Sequence, residues 1–301
     1  MGRDEKVWLN GALISRQEAV VPLLSHGFSR ASAIFDVFRV YPGPQGPMAF
    51  RSDAHIRRLM TTAELLGMKL AYAPEEILQA VKEAVRANDM QSGMVKILAY
   101  WGRETLLELV LDSPLDMAVF AIADEKPFDP GAVKPISACL SKWRKIHPET
   151  VPVGAKACAN YLNGYLVRKD ANSRGYDVGL SLGTDGFLAE GSIESVFIVK
   201  DNVLKTPPLG RILSSVTRMS ILDAAPRIGI TTQEVPITAD EALTADEMFT
   251  SYTSVKVSPV ARFENRDLQA PGPVTRQVME LMNDILEFKD ARFADWLQPL
   301  S

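Results

Sequence analysis

Two α/β (α+β) domains, each built on a mixed sheet, form the fold class that the sequence predicts, and three observations predict it. The chain has 301 residues, more than one hydrophobic core usually organises. Strand-sized apolar runs recur along it, separated by stretches of helical period. The segment ADEKPFDPGAVKP at 123–135 is polar, carries three prolines and a glycine, and lies between two strand-like stretches. The expected division is an N-terminal α/β domain at 1–122, a linker at 123–135 and a second domain at 136–301.

The elements follow in order. VWLNGALI at 7–14 sets Asn10-Gly11 between two short apolar runs, the strongest local signal for a hairpin. IFDVFRVY at 34–41 is rich in β-branched and aromatic residues, and PGPQGP turns the chain back toward MAF. SDAHIRRLMTTAELLGM predicts a helix with Ile56, Leu59, Ala63 and Leu66 on one face, Ser52 as N-cap and Gly67 as its stop. PEEILQAVKEAVRAND at 74–89 predicts a second helix, opened by Pro74 and with acids in its first turn. MVKILAYW and DMAVFAIA read as strands. Beyond the linker come a strand, a helix over 157–174 with Leu162 and Leu166 on one face, and the hairpin SVFIVKDNVLKT, turning at Asp201-Asn202. TRMSILDAA and PVTRQVMELMNDILEF supply further helices.

Composition excludes several classes of function. A hydrophobic fraction of 47% and a charged fraction of 23% are those of a globular chain, not a disordered one. A net charge of −4 gives no electrostatic reason to expect nucleic acid. Apolar runs such as MAVFAIA are too short to span a bilayer, so no membrane partner is expected. MGRDEKVWLNG lacks the apolar core of a signal peptide, and Lys6 breaks the myristoylation pattern. Cys139 and Cys158 have neither disulfide-framework nor metal-ligand spacing and read as buried thiols in a reducing cytoplasm. No metal is expected.

Lys156, in GAKACANYLNGYLV, stands among small and apolar neighbours at or just before the predicted helix. Burying an ammonium without a partner is costly, and the N-terminal end of a helix dipole favours the neutral amine. A neutral amine can attack a carbonyl and form a Schiff base. Taken alone, the position reads first as that of a lysine reaching to water.

Its neighbours decide the reading. GAKACANYLNGYL resembles the lysine segment of the fold-type IV aminotransferases, which use pyridoxal 5′-phosphate. These are the branched-chain amino-acid aminotransferases, the D-amino-acid aminotransferases and the aminodeoxychorismate lyases. DVGLSLGTDGFLAEGSIESVFIVKDNVLKTPP is similar to the long signature of that family. RILSSVTRMSIL, EMFTSYTSVKVSPV and FRSDAHIRRL resemble its phosphate-binding segments. The similarity runs from WLNG to FADWL, nearly the whole chain.

The resemblance implies a fold of two such domains with the cofactor between them, and a role for each matching residue. Lys156 holds the cofactor as a Schiff base and acts as the catalytic base. Glu190, in LAEGSIESVF, partners the pyridine nitrogen, and Tyr161 the phenolic oxygen. Arg58, at the family spacing from His55, binds the phosphate with Val216, Thr217 and Thr253, and Leu213 lies in the same cofactor-binding turn. On the substrate side the pattern departs. Arg30 stands where branched-chain enzymes carry a tyrosine, Lys96 replaces the arginine of a Y-x-R run, and Phe35 keeps an aromatic position. Ser254 completes the substrate set, and Arg30, Lys96, Arg103 and Lys256 compete as carboxylate handles, with Arg30 preferred.

The expected activity is transamination from a branched-chain-like amino acid to a 2-oxo acid. The alternatives are a D-amino-acid aminotransferase, an aminodeoxychorismate lyase and a cofactor-binding non-enzyme. The family also implies a homodimer or higher homo-oligomer, with loops reaching the partner's pocket.

Overall fold

The computed structural model of the protein describes residues 5–44, 46–126 and 129–301. Residues 1–4, Gln45 of the Pro-Gly turn and residues 127–128 of the expected linker lie outside the described residues. The chain forms two compact units, and their limits differ from a single break at 123–135. One comprises Met1–Phe128, Ala155–Ala159 and Leu286–Ser301, and the other Asp129–Gly154 and Asn160–Ile285. Lys156 therefore belongs with N-terminal residues rather than with 136–301. The reason is local pairing: Ala157 bridges Ile34, and the Phe35 N–H donates to the Lys156 carbonyl at 3.1 Å.

In the first unit, β1 (Lys6–Leu9) and β2 (Ala12–Ser15) form the hairpin that Asn10-Gly11 predicts. Both turn residues take positive φ, 48° and 93°, the conformation that matches the strand twist. A single turn, α1 (His26–Ser29), precedes β3 (Ala33–Gly43) and β4 (Gly46–Phe50). Two helices, α2 (Ser52–Leu65) and α3 (Pro74–Ala87), lead to β5 (Gly93–Tyr100) and β6 (Asp116–Ala123). A final strand, Leu297–Pro299, pairs with β4 and completes a seven-stranded sheet. Its order is final strand, β4, β3, β5, β6, β1, β2, antiparallel at every pairing.

Alternation along β3 sends Ile34, Phe38 and Val40 into one core with Leu59 of α2, Val81 of α3 and Ile97 of β5. Asp36 falls on that same inward face. The opposite face carries Phe35 and Val37, whose cross-strand partners on β5 are Leu98 and Lys96. Ser52 is the first residue inside α2, not its N-cap; Arg51, with φ 53°, holds the cap position. The capping oxygen is Gln298 Oε1, which accepts from the Ser52 hydroxyl and from the Asp53 N–H at 3.0 Å. A distant side chain thus does what a local serine was expected to do.

The second unit contains β7 (Ile136–Leu140), α4 (Tyr161–Ser173), β8 (Val178–Leu182), β9 (Leu188–Gly191), β10 (Ser195–Lys200) and β11 (Val203–Thr206). Then come α5 (Val216–Ala224), β12 (Thr232–Glu234), α6 (Ala239–Leu243), β13 (Glu247–Ser251), β14 (Ser258–Phe263), β15 (Arg266–Asp267) and α7 (Pro273–Leu286). The sheet runs β12-β11-β10-β13-β14-β7-β8-β9 with β15 on β14, and it mixes parallel and antiparallel pairs. Asp201 and Asn202 turn the β10–β11 hairpin, both with positive φ.

The lysine-proximal helix is shorter than the sequence predicts. A 3₁₀ turn at Cys158–Asn160 precedes α4, so Lys156 stands five residues ahead of the first α-helical residue, Tyr161. The α4 face that points inward is Val167, Asp170 and Ala171, while Leu162 is exposed. Asp170 is buried because its carboxylate accepts from the Ser141 hydroxyl at 2.9 Å and the Lys142 N–H at 3.0 Å. Gly164 allows α4 to approach the loop after β9: a Cβ there would sit 2.3 Å from the Ser192 carbonyl oxygen.

Candidate active site

Lys156 is 9% exposed. Its N–H donates to Thr62 Oγ1 at 3.1 Å, from a fully buried threonine of α2, and its carbonyl accepts from Phe35. Backbone fixation on both sides aims the side chain across the outer face of β3, where Nζ lies 4.7 Å from the centre of the Phe35 ring. Lys96 Nζ lies 4.9 Å from the same ring. The structure thus gathers Lys156, Phe35 and Lys96 on one sheet face. Lys96 also stands in the wall of a cavity of about 430 Å³, with Leu98, Tyr100, Phe120, Phe28 and Cys158. It is the one charged residue in that wall among the described residues.

Arg58 of α2 is tied into a cluster that sequence reasoning missed. Its Nε and Nη2 donate to the two oxygens of Asp36, each at 2.8 Å, and His55 Nδ1 lies 2.7 Å from Oδ1. Asp36 is wholly buried, which by itself would raise its carboxyl. The Arg58 guanidinium and His55 outweigh that and hold it well below the usual carboxylate range. The signal was present as an acid in the inward register of a strand, a position that demands a partner. Arg57, by contrast, is exposed and pairs with Asp53 one turn away. Arg30 and Arg103 are exposed, bonded to the Leu106 carbonyl and the Glu108 carboxylate respectively.

In the second unit, Glu190 on β9 is 8% exposed. Its Oε1 lies 2.5 Å from Lys145 Nζ, and its Oε2 accepts from the Leu213 N–H at 3.3 Å. Leu213 and Glu190 are thus brought together, and Lys145 is a neighbour the sequence did not reveal. Ser215 caps α5 by accepting from the Arg218 N–H. Val216 and Thr217 follow in the first turn, where backbone N–H groups lack intrahelical acceptors. Thr217 is 1% exposed, and its Oγ1 finds no hydrogen-bond partner among the described residues. A buried hydroxyl so placed costs about 1–3 kcal/mol, and beside a helix N-terminus it suits a phosphate oxygen. Tyr161 opens α4, half-buried. Thr253 and Ser254 lie in the β13–β14 loop, and Lys256 is committed to that loop, donating to the Thr253 carbonyl at 2.9 Å.

Among the described residues no cluster of His, Cys, Asp and Glu could hold a metal, and no helix is long and apolar enough to cross a membrane.

The first unit therefore offers a buried lysine, and the second, by itself, a buried carboxylate and a phosphate-suited helix start. The Amino-transferase class IV family pattern matches residues 33–263. The chain belongs to the class IV aminotransferases. Among curated relatives, the branched-chain-amino-acid aminotransferase of Pseudomonas aeruginosa is 30% identical over 98% of this chain and 97% of its own. The crystal structure of the Thermoproteus uzoniensis branched-chain aminotransferase with norvaline is 34% identical, with a TM-score of 0.93 over 99% of both chains. The branched-chain amino acid aminotransferase of Thermobaculum terrenum, solved in its PLP-form (holo-form), is 29% identical, with a TM-score of 0.93 over 100% of both chains. This class IV aminotransferase is an enzyme, and its relatives favour transamination over the lyase, D-amino-acid and non-enzymatic alternatives.

Proposed function

We propose that this class IV aminotransferase moves an amino group from a branched-chain-like amino acid to a 2-oxo acid, with Lys156 as the residue that bonds the cofactor. The observation that carries the reading is the setting of Lys156, buried and fixed by its backbone over Phe35. Pyridoxal 5′-phosphate is the cofactor, and when bound it accepts the electron pair released at the substrate α-carbon. The likeness to the norvaline-bound enzyme supports the substrate class, and the likeness to the PLP-form enzyme supports the cofactor.

Lys156 Nζ holds the cofactor, then takes the α-proton and returns it from the same position. Glu190 accepts a hydrogen bond from the ring nitrogen, with Leu213 fixing one of its oxygens. Arg58, Thr253, the Thr217 hydroxyl and the N–H groups of Val216 and Thr217 bind the phosphate, and Tyr161 bonds the phenolic oxygen. Phe35, Lys96 and Ser254 face the substrate, whose apolar side chain suits the cavity walled by Leu98 and Phe120.

The working form is a homodimer, in which Arg30 serves the partner's substrate. Supporting this, Leu23 and Phe28 of α1 and the segment before it, and Leu107 and Val110 of the loop after β5, are exposed, and the Thr105 N–H joins the two stretches at the Leu24 carbonyl. The free state of Cys139 and Cys158 supports a reducing, cytoplasmic setting.

The test is a half-reaction panel. Purified, yellow protein is mixed with L-amino acids, D-amino acids and amines, and loss of the visible cofactor band is followed. Branched-chain L-amino acids should discharge the band fastest. Discharge by D-enantiomers alone, or pyruvate release from aminodeoxychorismate, would overturn the assignment.

A further inference from the structure

A glutamate that must present one oxygen to a ring nitrogen has a mechanical problem. Its terminal torsion is soft and roughly two-fold, so an unanchored carboxylate swings freely. On β9, one contact fixes the backbone of Glu190 and two restrain its carboxylate. The Glu190 carbonyl accepts from the Ser181 hydroxyl at 2.8 Å, Oε2 accepts from the Leu213 N–H at 3.3 Å, and Oε1 meets the Lys145 ammonium at 2.5 Å. The third is a charged contact with little water around it: the Lys145 and Glu190 side chains are 15% and 10% exposed.

Lys145 is itself held in place. It lies in the irregular stretch after β7, and its N–H donates to the Leu182 carbonyl at the end of β8 at 2.9 Å. Other polar groups nearby are engaged elsewhere: Arg211 pairs with Asp185, and His147 Nδ1 accepts from the Glu149 N–H at 3.2 Å. These four side chains line a cavity of about 220 Å³ together with Lys145. Among the described residues the carboxylate within ion-pair distance of Lys145 is that of Glu190.

We propose that Lys145 is a positioning residue for the cofactor, acting through Glu190 by pinning one carboxylate oxygen so that the carboxylate meets the ring nitrogen in a fixed orientation. The proposal rests on the assignment of Glu190 to that nitrogen. It predicts that the value of Lys145 to cofactor binding vanishes once Glu190 can no longer serve as a carboxylate.

A double-mutant cycle on cofactor affinity tests it, with Lys145→Met, Glu190→Gln and the double variant stripped of cofactor and titrated with pyridoxal 5′-phosphate by tryptophan fluorescence. Lys145→Met should weaken the Kd about tenfold in the parent, the worth of a hydrogen bond to a charged group, and less than twofold beside Glu190→Gln. Lys145→Arg should restore affinity to within about threefold. In the half-reaction, Lys145→Met should lower kcat more than it raises KM. Lys145→Gln, which keeps the length and a donor, serves if the methionine variant does not fold. Equal weakening in both backgrounds, or no rescue by arginine, would overturn the role of Lys145 alone. An unchanged Kd in Glu190→Gln would overturn the Glu190 assignment and this proposal with it.

Discussion

Replacing Asp36 by asparagine keeps the shape of the side chain and one acceptor oxygen but removes the charge that Arg58 faces. Asp36 is fully buried and the Arg58 side chain is 9% exposed, so the guanidinium would lose the Asp36 charge in a poorly solvated place. Breaking a buried pair in this way costs about 3–5 kcal/mol. For a chain of this size that corresponds to a fall in Tm of about 5–10 °C. Calorimetry on cofactor-stripped protein measures it without interference from phosphate binding. Adding Arg58→Gln to Asp36→Asn should recover part of the loss, because the buried positive charge that Asp36 offset is then gone. The pH dependence has a definite sign. The folded Asp36 carboxyl is held below its ordinary value, so its contribution is complete above the unfolded value of about 4 and fades as pH falls below that toward the folded one. The gap in stability between parent and Asp36→Asn should therefore be full at pH 7 and narrow progressively below about pH 4. A Tm within 1 °C of the parent at pH 7, or a gap that widens in acid, would refute the reasoning.

Lys156→Ala should abolish the half-reaction while the melting temperature stays close to the parent's, and borohydride should fix the cofactor to Lys156; retained turnover or a label elsewhere contradicts the assignment. Gly164→Ala places a Cβ 2.3 Å from the Ser192 carbonyl oxygen and should cost about 1–3 kcal/mol despite alanine's better helix propensity. A thermal melt equal to the parent's would show that the loop gives way. Burial pushes the Cys139 thiol up to about 11 and raises that of Cys158, the latter opposed by Lys96 and Lys156. Ellman's reagent at pH 8 should therefore label the native protein slowly and both thiols promptly after denaturation; a fast native reaction would contradict this.

Local chemistry made much of the fold readable. Asn10-Gly11 and Asp201-Asn202 announce hairpins because both turns need residues that tolerate positive φ. Pro74 and the acids after it mark α3 for equally local reasons, with Glu76 accepting from the Ala73 N–H. What escaped notice depends on residues far apart in sequence. The N-terminal oxygen for α2 comes from Gln298, which no local pattern around Ser52 reveals. CAN at 158–160 has helical spacing, but Ala157 is drawn to Ile34 and the turn stays 3₁₀. At the candidate site, Lys156 and Glu190 stand out through the motifs around them. Asp36 and Lys145 carry no motif. Their importance lies in partners reached only after folding, 22 residues away for Arg58 and, for Glu190, beyond α4 and β8.

The strand Leu297–Pro299 closes the sheet on β4, and Ser52 binds Gln298 across 246 positions of chain. A polypeptide made from its N-terminus must carry the open flank of β4 throughout the synthesis of everything between. An unpaired strand border is an invitation to neighbouring nascent chains. Overproduction at high translation rates should thus favour aggregates seeded at this border, and chaperones that occupy exposed β-structure should improve yield more than a lower temperature alone.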